Sequence, residues 1–380
     1  MREGWEYKKL GDVCQVVTGS TPKTNISEYW DGNYPWVTPA ELKGDVYISD
    51  TARHITEEAI AHTNLTLLPI GTVLLSSRAP IGKVAITTIE MYCNQGFKNL
   101  ICSDAINNKY LYLWLSGKTE YLNSLGRGAT FKEISRTIVE NVIIPLPPLS
   151  IQKSIVTELD KINELIRLKR EQLKDYDNLA QSIFYEMFGD PVVNEKGWIV
   201  KTIGDVCSLK SGDSKANKSP KGTLPYVKVG DMNLPGNENC ITCSSTYVDR
   251  DYNKRGIFPI GSILFPKRGG AILTNKKRMA AVEICCDLNT MGVIPSEVLN
   301  KHYLFQWFKI LDLGTICSGS TILQLNNCDI APLLIQIPPL TLQQTFAKRI
   351  ELIEQQKAEI QSTITDLETL LASRMQYWFD

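Results

Sequence analysis

The chain has 380 residues, of which 43% are hydrophobic, 22% charged and 8% aromatic, the profile of folded protein and not of a disordered, collagen-like or disulfide-scaffold chain. Its 41 Lys+Arg and 41 Asp+Glu cancel, so bulk charge gives no argument for nucleic acid. The longest apolar run, around Ile330–Leu340, is interrupted by Pro332, Pro338 and Pro339, so no membrane span is expected. The length calls for two or more domains. The N-terminus has no apolar secretion-signal core, and ten cysteines in that setting are expected as reduced thiols in a cytoplasm.

From the amino terminus, short apolar runs at Val13–Val17, Val73–Leu75, Val84–Thr88 and Ile143–Leu146, punctuated by Gly, Pro, Asn and Asp, read as strands and turns. One helical stretch, Lys109–Leu125, interrupts them. After Pro147-Pro148-Leu149 no Gly or Pro occurs until Gly189, and Ser150 is the expected N-cap of a long helix. Its apolar seam is Ile155, Leu159, Ile162, Ile166, Leu173, Tyr176, Ala180, Ile183 and Met187, with Lys169 the polar exception.

The pattern then starts again. Gly4-Trp5 and Leu10-Gly11-Asp12-Val13-Cys14 return as Gly197-Trp198 and Ile203-Gly204-Asp205-Val206-Cys207. Tyr34-Pro35-Trp36-Val37 returns as Leu224-Pro225-Tyr226-Val227, Leu68-Pro69-Ile70-Gly71 as Phe258-Pro259-Ile260-Gly261, and the first helical stretch near Lys301. Ile144–Leu149 returns as Ile335–Leu340, followed by a second long helix with seam residues Phe346, Ile350, Ile353, Ile360, Ile364, Leu367, Leu371 and Trp378 and exceptions Lys357 and Arg374. Domain-sized copies indicate a duplication and not a solenoid. The expected fold class is α+β: two tandem mixed α/β units, 1–149 and 190–340, each followed by a long helix, 150–189 and 341–380. Spacing near 3.5 residues points to a coiled coil. About 37 residues at 1.5 Å make roughly 55 Å of helix, more than a unit of this size needs. Antiparallel pairing of the two helices, giving pseudo-two-fold symmetry, follows; the alternative is that each helix packs only on its own unit.

Charge is unevenly placed. Residues 191–340 hold 17 basic and 12 acidic groups, against 14 and 15 in 1–150. The excess lies in two stretches: Lys210, Lys215, Lys218, Lys221 and Lys228, then Lys267, Arg268, Lys276, Lys277 and Arg278 around Gly269-Gly270. Cations on glycine-rich loops suit phosphate contact, and a solvated basic face is the alternative. The first unit offers isolated cations beside small residues: Lys23 after Gly19-Ser20-Thr21-Pro22, Arg78 and Lys83 in Arg78-Ala79-Pro80-Ile81-Gly82-Lys83, Arg127 between Gly126 and Gly128, and Lys132.

Catalytic signatures are missing. Gly82-Lys83 lacks the upstream glycine and following Ser/Thr of a phosphate-binding loop. Both Pro-Pro pairs lack the Asn/Asp and aromatic neighbours of an adenine-methylation site. Asp31 with Glu41-Leu42-Lys43 imitates a metal-dependent nuclease spacing, but Pro39 interrupts its strand. Cys240-Ile241-Thr242-Cys243 and Cys285-Cys286 are expected as incidental thiols, Cys14 and Cys207 as core, and His54, His62 and His302 as structural or surface residues. No catalytic residue and no metal site is expected.

The ordered, duplicated marks resemble the specificity subunit of Type I restriction–modification systems. They are Gly19-Ser20-Thr21-Pro22 with Tyr29-Trp30-Asp31-Gly32 and Pro35-Trp36-Val37; Arg78-Ala79-Pro80-Ile81-Gly82; Pro147-Pro148-Leu149 to Gln152 and Pro338-Pro339-Leu340 to Gln343; and Met187-Phe188-Gly189-Asp190-Pro191. The resemblance implies that 1–149 and 190–340 are target recognition domains, each reading one half of a bipartite, gapped site in double-stranded DNA. The helices would fix the gap and recruit two DNA adenine methyltransferase subunits and, through them, translocase–endonuclease subunits. S-adenosylmethionine, ATP and Mg would then belong to those partners, with no cofactor in this chain. The DNA-contacting candidates are the cations Lys23, Arg78, Lys83, Arg127, Lys132, Lys215, Lys218, Lys221, Lys228, Lys267, Arg268, Lys276 and Lys277. Alternatives are a subunit serving a fused methylase–nuclease, a coiled-coil adaptor without sequence-dependent DNA affinity, and a self-contained nuclease or methylase.

Overall fold

The structure is a computed structural model that describes residues 4–128, 132–213, 222–250, 256–319 and 322–380. It divides into two compact units, residues 1–169 with 363–380, and residues 170–362. The two long helices, Leu149–Phe188 and Leu340–Phe379, each contribute to both units, so the compact units do not follow the linear order of the sequence blocks.

Among the described residues of the first unit, a five-stranded sheet runs in the order Cys14–Thr18, Lys98–Cys102, Val73–Leu75, Val84–Thr87, Tyr47–Ile48. A three-stranded sheet holds His54–Ile55, Trp30–Val37 and Tyr92–Cys93, and Glu6–Lys9 pairs antiparallel with Ile143–Leu146. The second unit repeats the plan: Cys207–Ser211, Thr290–Pro295, Ile263–Pro266, Arg278–Ala280, Cys240–Ile241 in one sheet, and Ile199–Thr202 paired with Leu334–Ile337. Its smaller sheet has four strands because Ile257–Phe258 joins it; the matching stretch of the first unit makes only the isolated bridge Leu68–Met91.

Local chemistry moves several predicted boundaries. Leu10–Val13 forms a helical turn before the first core strand, so that strand starts at Cys14 and not at Val13. Lys109–Leu125 is two helices, Asn108–Ser116 and Thr119–Leu125, divided at Gly117-Lys118. Each long helix begins at the leucine after the proline pair, in the first helix two residues earlier than a Ser150 cap implies: the Pro148 carbonyl accepts from Ile151 and Gln152 N–H, and the Pro339 carbonyl from Leu342 and Gln343 N–H.

Ile155 and Leu159 enter the first unit's core, beside Phe379 from the end of the second long helix. In the second unit the buried pair at the end of the first long helix is Phe184 and Phe188, with Ile183 and Met187 only partly covered. The seam turns by one position there because the two rings pack with Phe346 and Tyr303, at centroid distances of 4.7–5.8 Å. Both polar exceptions of the second seam are matched by acids of the first helix. Arg374 pairs with Glu158, which also accepts from Trp378 Nε1 at 3.0 Å, and Lys357 pairs with Asp177 at 2.8 Å.

The glutamines after the proline pairs are fully buried and make the same three bonds in each unit. Gln152 Oε1 accepts Asn107 N–H at 2.8 Å, and its Nε2 donates to the Ala105 and Pro147 carbonyls at 3.1 and 2.9 Å. Gln343 accepts Asn300 N–H at 2.8 Å and donates to Val298 and Pro338 at 3.1 and 2.9 Å. Removing such an amide strands buried backbone groups, each at about 1–3 kcal/mol. Gln152→Ala and Gln343→Ala are each expected to lower stability by about 2–4 kcal/mol, read as an earlier urea midpoint, whereas Gln344→Ala, at an exposed position, should move it by less than about 0.5 kcal/mol.

Candidate nucleic-acid interface

In the first unit the tryptophans of the Tyr29–Val37 motif hold the Gly19–Lys23 loop. Trp36 Nε1 donates to the Ser20 carbonyl at 3.0 Å and Trp30 Nε1 to the Lys23 carbonyl at 3.3 Å. Gly19 is obligatory because a Cβ there would lie 2.1 Å from the Asn94 carbonyl oxygen; Gly212 occupies the matching place, 2.0 Å from that of Asp287. Lys23 is thereby presented on an anchored loop with its side chain exposed. The Arg53 guanidinium stacks over the Trp30 ring at 3.5 Å, which adds a cation to this surface that the sequence did not mark.

The second loop group converges on Glu133. Its backbone bridges both Arg78 and Arg127, and its carboxylate accepts from Arg78 Nε at 2.9 Å and Lys98 Nζ at 3.3 Å. Burial works against that carboxyl's ionisation, but the bonds from Arg78 and Lys98 outweigh it and hold it below the usual range. Lys98 is buried and also donates to Ser77 Oγ at 3.3 Å. Neither Lys98 nor Glu133 had a sequence signal, since each needs a partner 35 residues or more away. Arg127 and Lys132 are exposed; Lys83 is half-buried, its ammonium on the Pro39 carbonyl at 3.3 Å.

The second unit rebuilds the same framework with other side chains. Arg268 and Ser318 bridge Gln324 as Arg78 and Arg127 bridge Glu133. Gln324 carries no charge, so exposed Arg268 is bridged to an amide where Arg78 is bridged to a carboxylate. Lys267 follows the strand Ile263–Pro266 where Ser77 follows Val73–Leu75, and it donates to Ser211 Oγ at 2.9 Å. A lysine–serine contact thus recurs with the lysine on a different segment. Lys276 reaches Asn233 Oδ1, and Lys228 precedes the short helix Val229–Asn233 with its N–H on Asp231 at 2.8 Å. Lys215, Lys218 and Lys221 lie outside the described residues.

Lys277 must be withdrawn from the contact set. It is 4% exposed, and its ammonium donates to Asn275 Oδ1 at 2.6 Å and to the Leu311 carbonyl. An inward ammonium with those partners supports the Leu311 turn and cannot meet a phosphate. Two neighbours in the basic stretches are also engaged internally: Lys210 donates to the Ile257 carbonyl at 2.9 Å, and Arg278 to that of Met232 at 3.1 and 3.2 Å.

Of the nuclease-like spacing, Glu41 is engaged within its own turn and with the Ala52 amide: it accepts from Thr38 N–H and Ala52 N–H, both at 2.7 Å. Cys243 contacts Asn237, and burial pushes the Cys285 thiol up to about 11. Among the described residues no three His, Cys, Asp or Glu side chains are grouped to hold a metal ion, and no helix is long and apolar enough to cross a membrane.

Burial lowers the Lys277 ammonium to about 8, partly opposed by Asp312. Between pH 8 and the ordinary lysine value the unfolded chain binds a proton that the folded chain does not, so this residue's contribution to stability improves as pH rises. The unfolding free energy of the parent minus that of Lys277→Met should therefore increase from pH 8 to pH 10 in urea titrations. A difference that ignores pH would return Lys277 to the solvent-facing set.

With this geometry in view, the relatives are informative. The family model described as "Type I restriction modification DNA specificity domain" matches residues 2–175 and again 195–369. The chain is 34% identical over 377 residues to the Type I restriction enzyme MjaIX specificity subunit of Methanocaldococcus jannaschii, covering 91% of this chain and 86% of that protein. It is 29% identical over 192 residues to the EcoR124I/EcoR124II specificity subunit of Escherichia coli, covering 49% and 47%. Its fold is similar to a chain in a solved structure described as showing complex assembly and conformational transition of the type I R-M system, with a TM-score of 0.63, 19% identity and coverage of 100% and 98%. The Type-I restriction-modification S subunit from M. genitalium is similar with a TM-score of 0.55, 13% identity and coverage of 99% and 96%. Two matches to the specificity-domain model, spanning most of its length, make the chain a member of the Type I restriction–modification specificity subunits, whose role is DNA recognition and not catalysis.

Proposed function

We propose that each unit reads one half of a bipartite, gapped site in double-stranded DNA, and that the two long helices pair antiparallel as a coiled coil with pseudo-two-fold symmetry that sets the gap. The observation that carries this reading is the repeated bridge framework with unlike side chains, Arg78–Glu133–Arg127 in one unit and Arg268–Gln324–Ser318 in the other. One scaffold presenting two chemistries is what reading two different half-sites requires. The antiparallel pairing is supported by Glu158 with Arg374 and Asp177 with Lys357, since contacts early in one helix fall late in the other.

In this reading the helices and their proline-leucine lead-ins recruit two DNA adenine methyltransferase subunits and, through them, translocase–endonuclease subunits. S-adenosylmethionine, ATP and Mg are bound by those partners. Lys23, Arg53, Arg78, Lys83, Arg127, Lys132, Lys228, Lys267, Arg268 and Lys276 supply phosphate or base-edge contacts, with Lys215, Lys218 and Lys221 as further candidates.

Methylome sequencing of a host with and without the gene tests the reading: a split adenine-methylated motif should vanish on deletion, and an unchanged methylome would reject it. Removing four residues, about one turn or ~6 Å, from each long helix should shorten the gap while both half-sites persist.

Within the assembled methyltransferase, Arg268→Ala should weaken DNA binding and reduce the slope of log K against log salt by about 1. Arg78→Ala should reduce it by less, because Glu133 already neutralises that cation. Equal slope changes would show that Arg78 leaves Glu133 on binding.

A further inference from the structure

Cys14 and Cys102 stand directly opposite each other where the strands Cys14–Thr18 and Lys98–Cys102 pair. Antiparallel partners alternate between pairs that exchange backbone hydrogen bonds and pairs that do not, and the second kind brings Cα atoms to about 4.5 Å. The surrounding bonds put Cys14 and Cys102 in the second kind. Ser103 N–H donates to the Val13 carbonyl at 3.0 Å, one step along the ladder, while Cys14 N–H turns back to the Leu10 carbonyl. That spacing falls inside the range of about 4.4–6.8 Å that a disulfide spans. The side chains already meet: a hydrogen bond with the Cys102 thiol, together with burial, pushes the Cys14 thiol up. Cys14 is in the core at 5% exposure, and Cys102 is partly exposed beside it. In the second unit the same register sets Cys207 against Pro295, so a sulfur pair exists at this position only in the first.

We propose that Cys14 and Cys102 form an oxidisable dithiol site, closed by exchange with a small disulfide such as oxidised glutathione. The accessible Cys102 thiolate attacks one sulfur of the small disulfide, breaks its S–S bond and expels one glutathione thiolate, which takes up a proton. Cys14 then loses its proton and attacks the Cys102 sulfur, breaking the mixed disulfide and releasing the second glutathione. Two protein thiols are oxidised, and one glutathione disulfide is reduced to two thiols. The product staples the start of the strand that leads into the Gly19–Lys23 loop to the end of the strand that carries Lys98. The staple closes the end of this ladder opposite to Thr18 and Lys98, and the second unit, with Pro295 against Cys207, has no counterpart.

The test uses the full chain, fully reduced, then equilibrated in glutathione buffers of increasing oxidised fraction, quenched in acid, alkylated and digested with trypsin. Peptide 10–23 contains Cys14 alone and peptide 99–109 contains Cys102 alone. The expected product is these two peptides linked, 2 Da lighter than their reduced sum. Its yield should rise with the oxidised fraction and be lost on adding dithiothreitol, while Cys207 stays alkylatable. Cys102→Ser should abolish the link. The proposal fails if both cysteines remain fully alkylatable under conditions that glutathionylate exposed Cys328, or if each carries glutathione without joining the other.

Discussion

The buried glutamine clasp at the base of each long helix is the interaction on which the architecture rests. A 40-residue helix amplifies any error in the direction at which it leaves its globular unit. Gln152 and Gln343 remove that freedom by tying the helix's first turn to the proline lead-in and to the segment before the domain helix. An amide is suited to the task because one side chain both accepts and donates. Burial makes the clasp strict, since any alternative direction would strand backbone groups away from water.

Around that fixed point the two units keep one backbone and vary what it displays. The short bridges that set Arg78 against Glu133 also set Arg268 against Gln324, so a cation facing a carboxylate in one unit becomes a cation facing an amide in the other. The lysine–serine contact is likewise kept while the lysine changes segment, from Lys98 with Ser77 to Lys267 with Ser211. The marks by which the chain is recognised do a different job. Gly19, Trp30 and Trp36 shape and anchor a loop, where Arg78, Arg268 and their neighbours are what the framework displays.

The helix seams show the same division between packing and charge. Arg374 and Lys357 interrupt an apolar stripe, yet each meets a carboxylate of the other long helix. Lys357 is almost fully covered, and a charge there without Asp177 and Glu354 would oppose folding. Such pairs allow one arrangement of the contacting helix segments and disfavour slipped ones.

The sequence by itself determined the duplication, the α+β class, the two long helices and the marks of the family, because each is written in local spacing: apolar period, proline and glycine placement, and an offset of about half the chain. The tertiary structure decided which cations are available. Lys277 and Arg268 lie in one basic stretch, but one ammonium turns inward to Leu311 while the other side chain stays outside. It also decided where Glu133 and Lys98 meet Arg78, and that the last turns of the first long helix bury Phe184 and Phe188 in place of Ile183 and Met187. The physical reason is common to all of these. Exposure, ion pairing and seam rotation depend on groups far away in sequence, and a pattern of spacing carries no record of which distant group arrives.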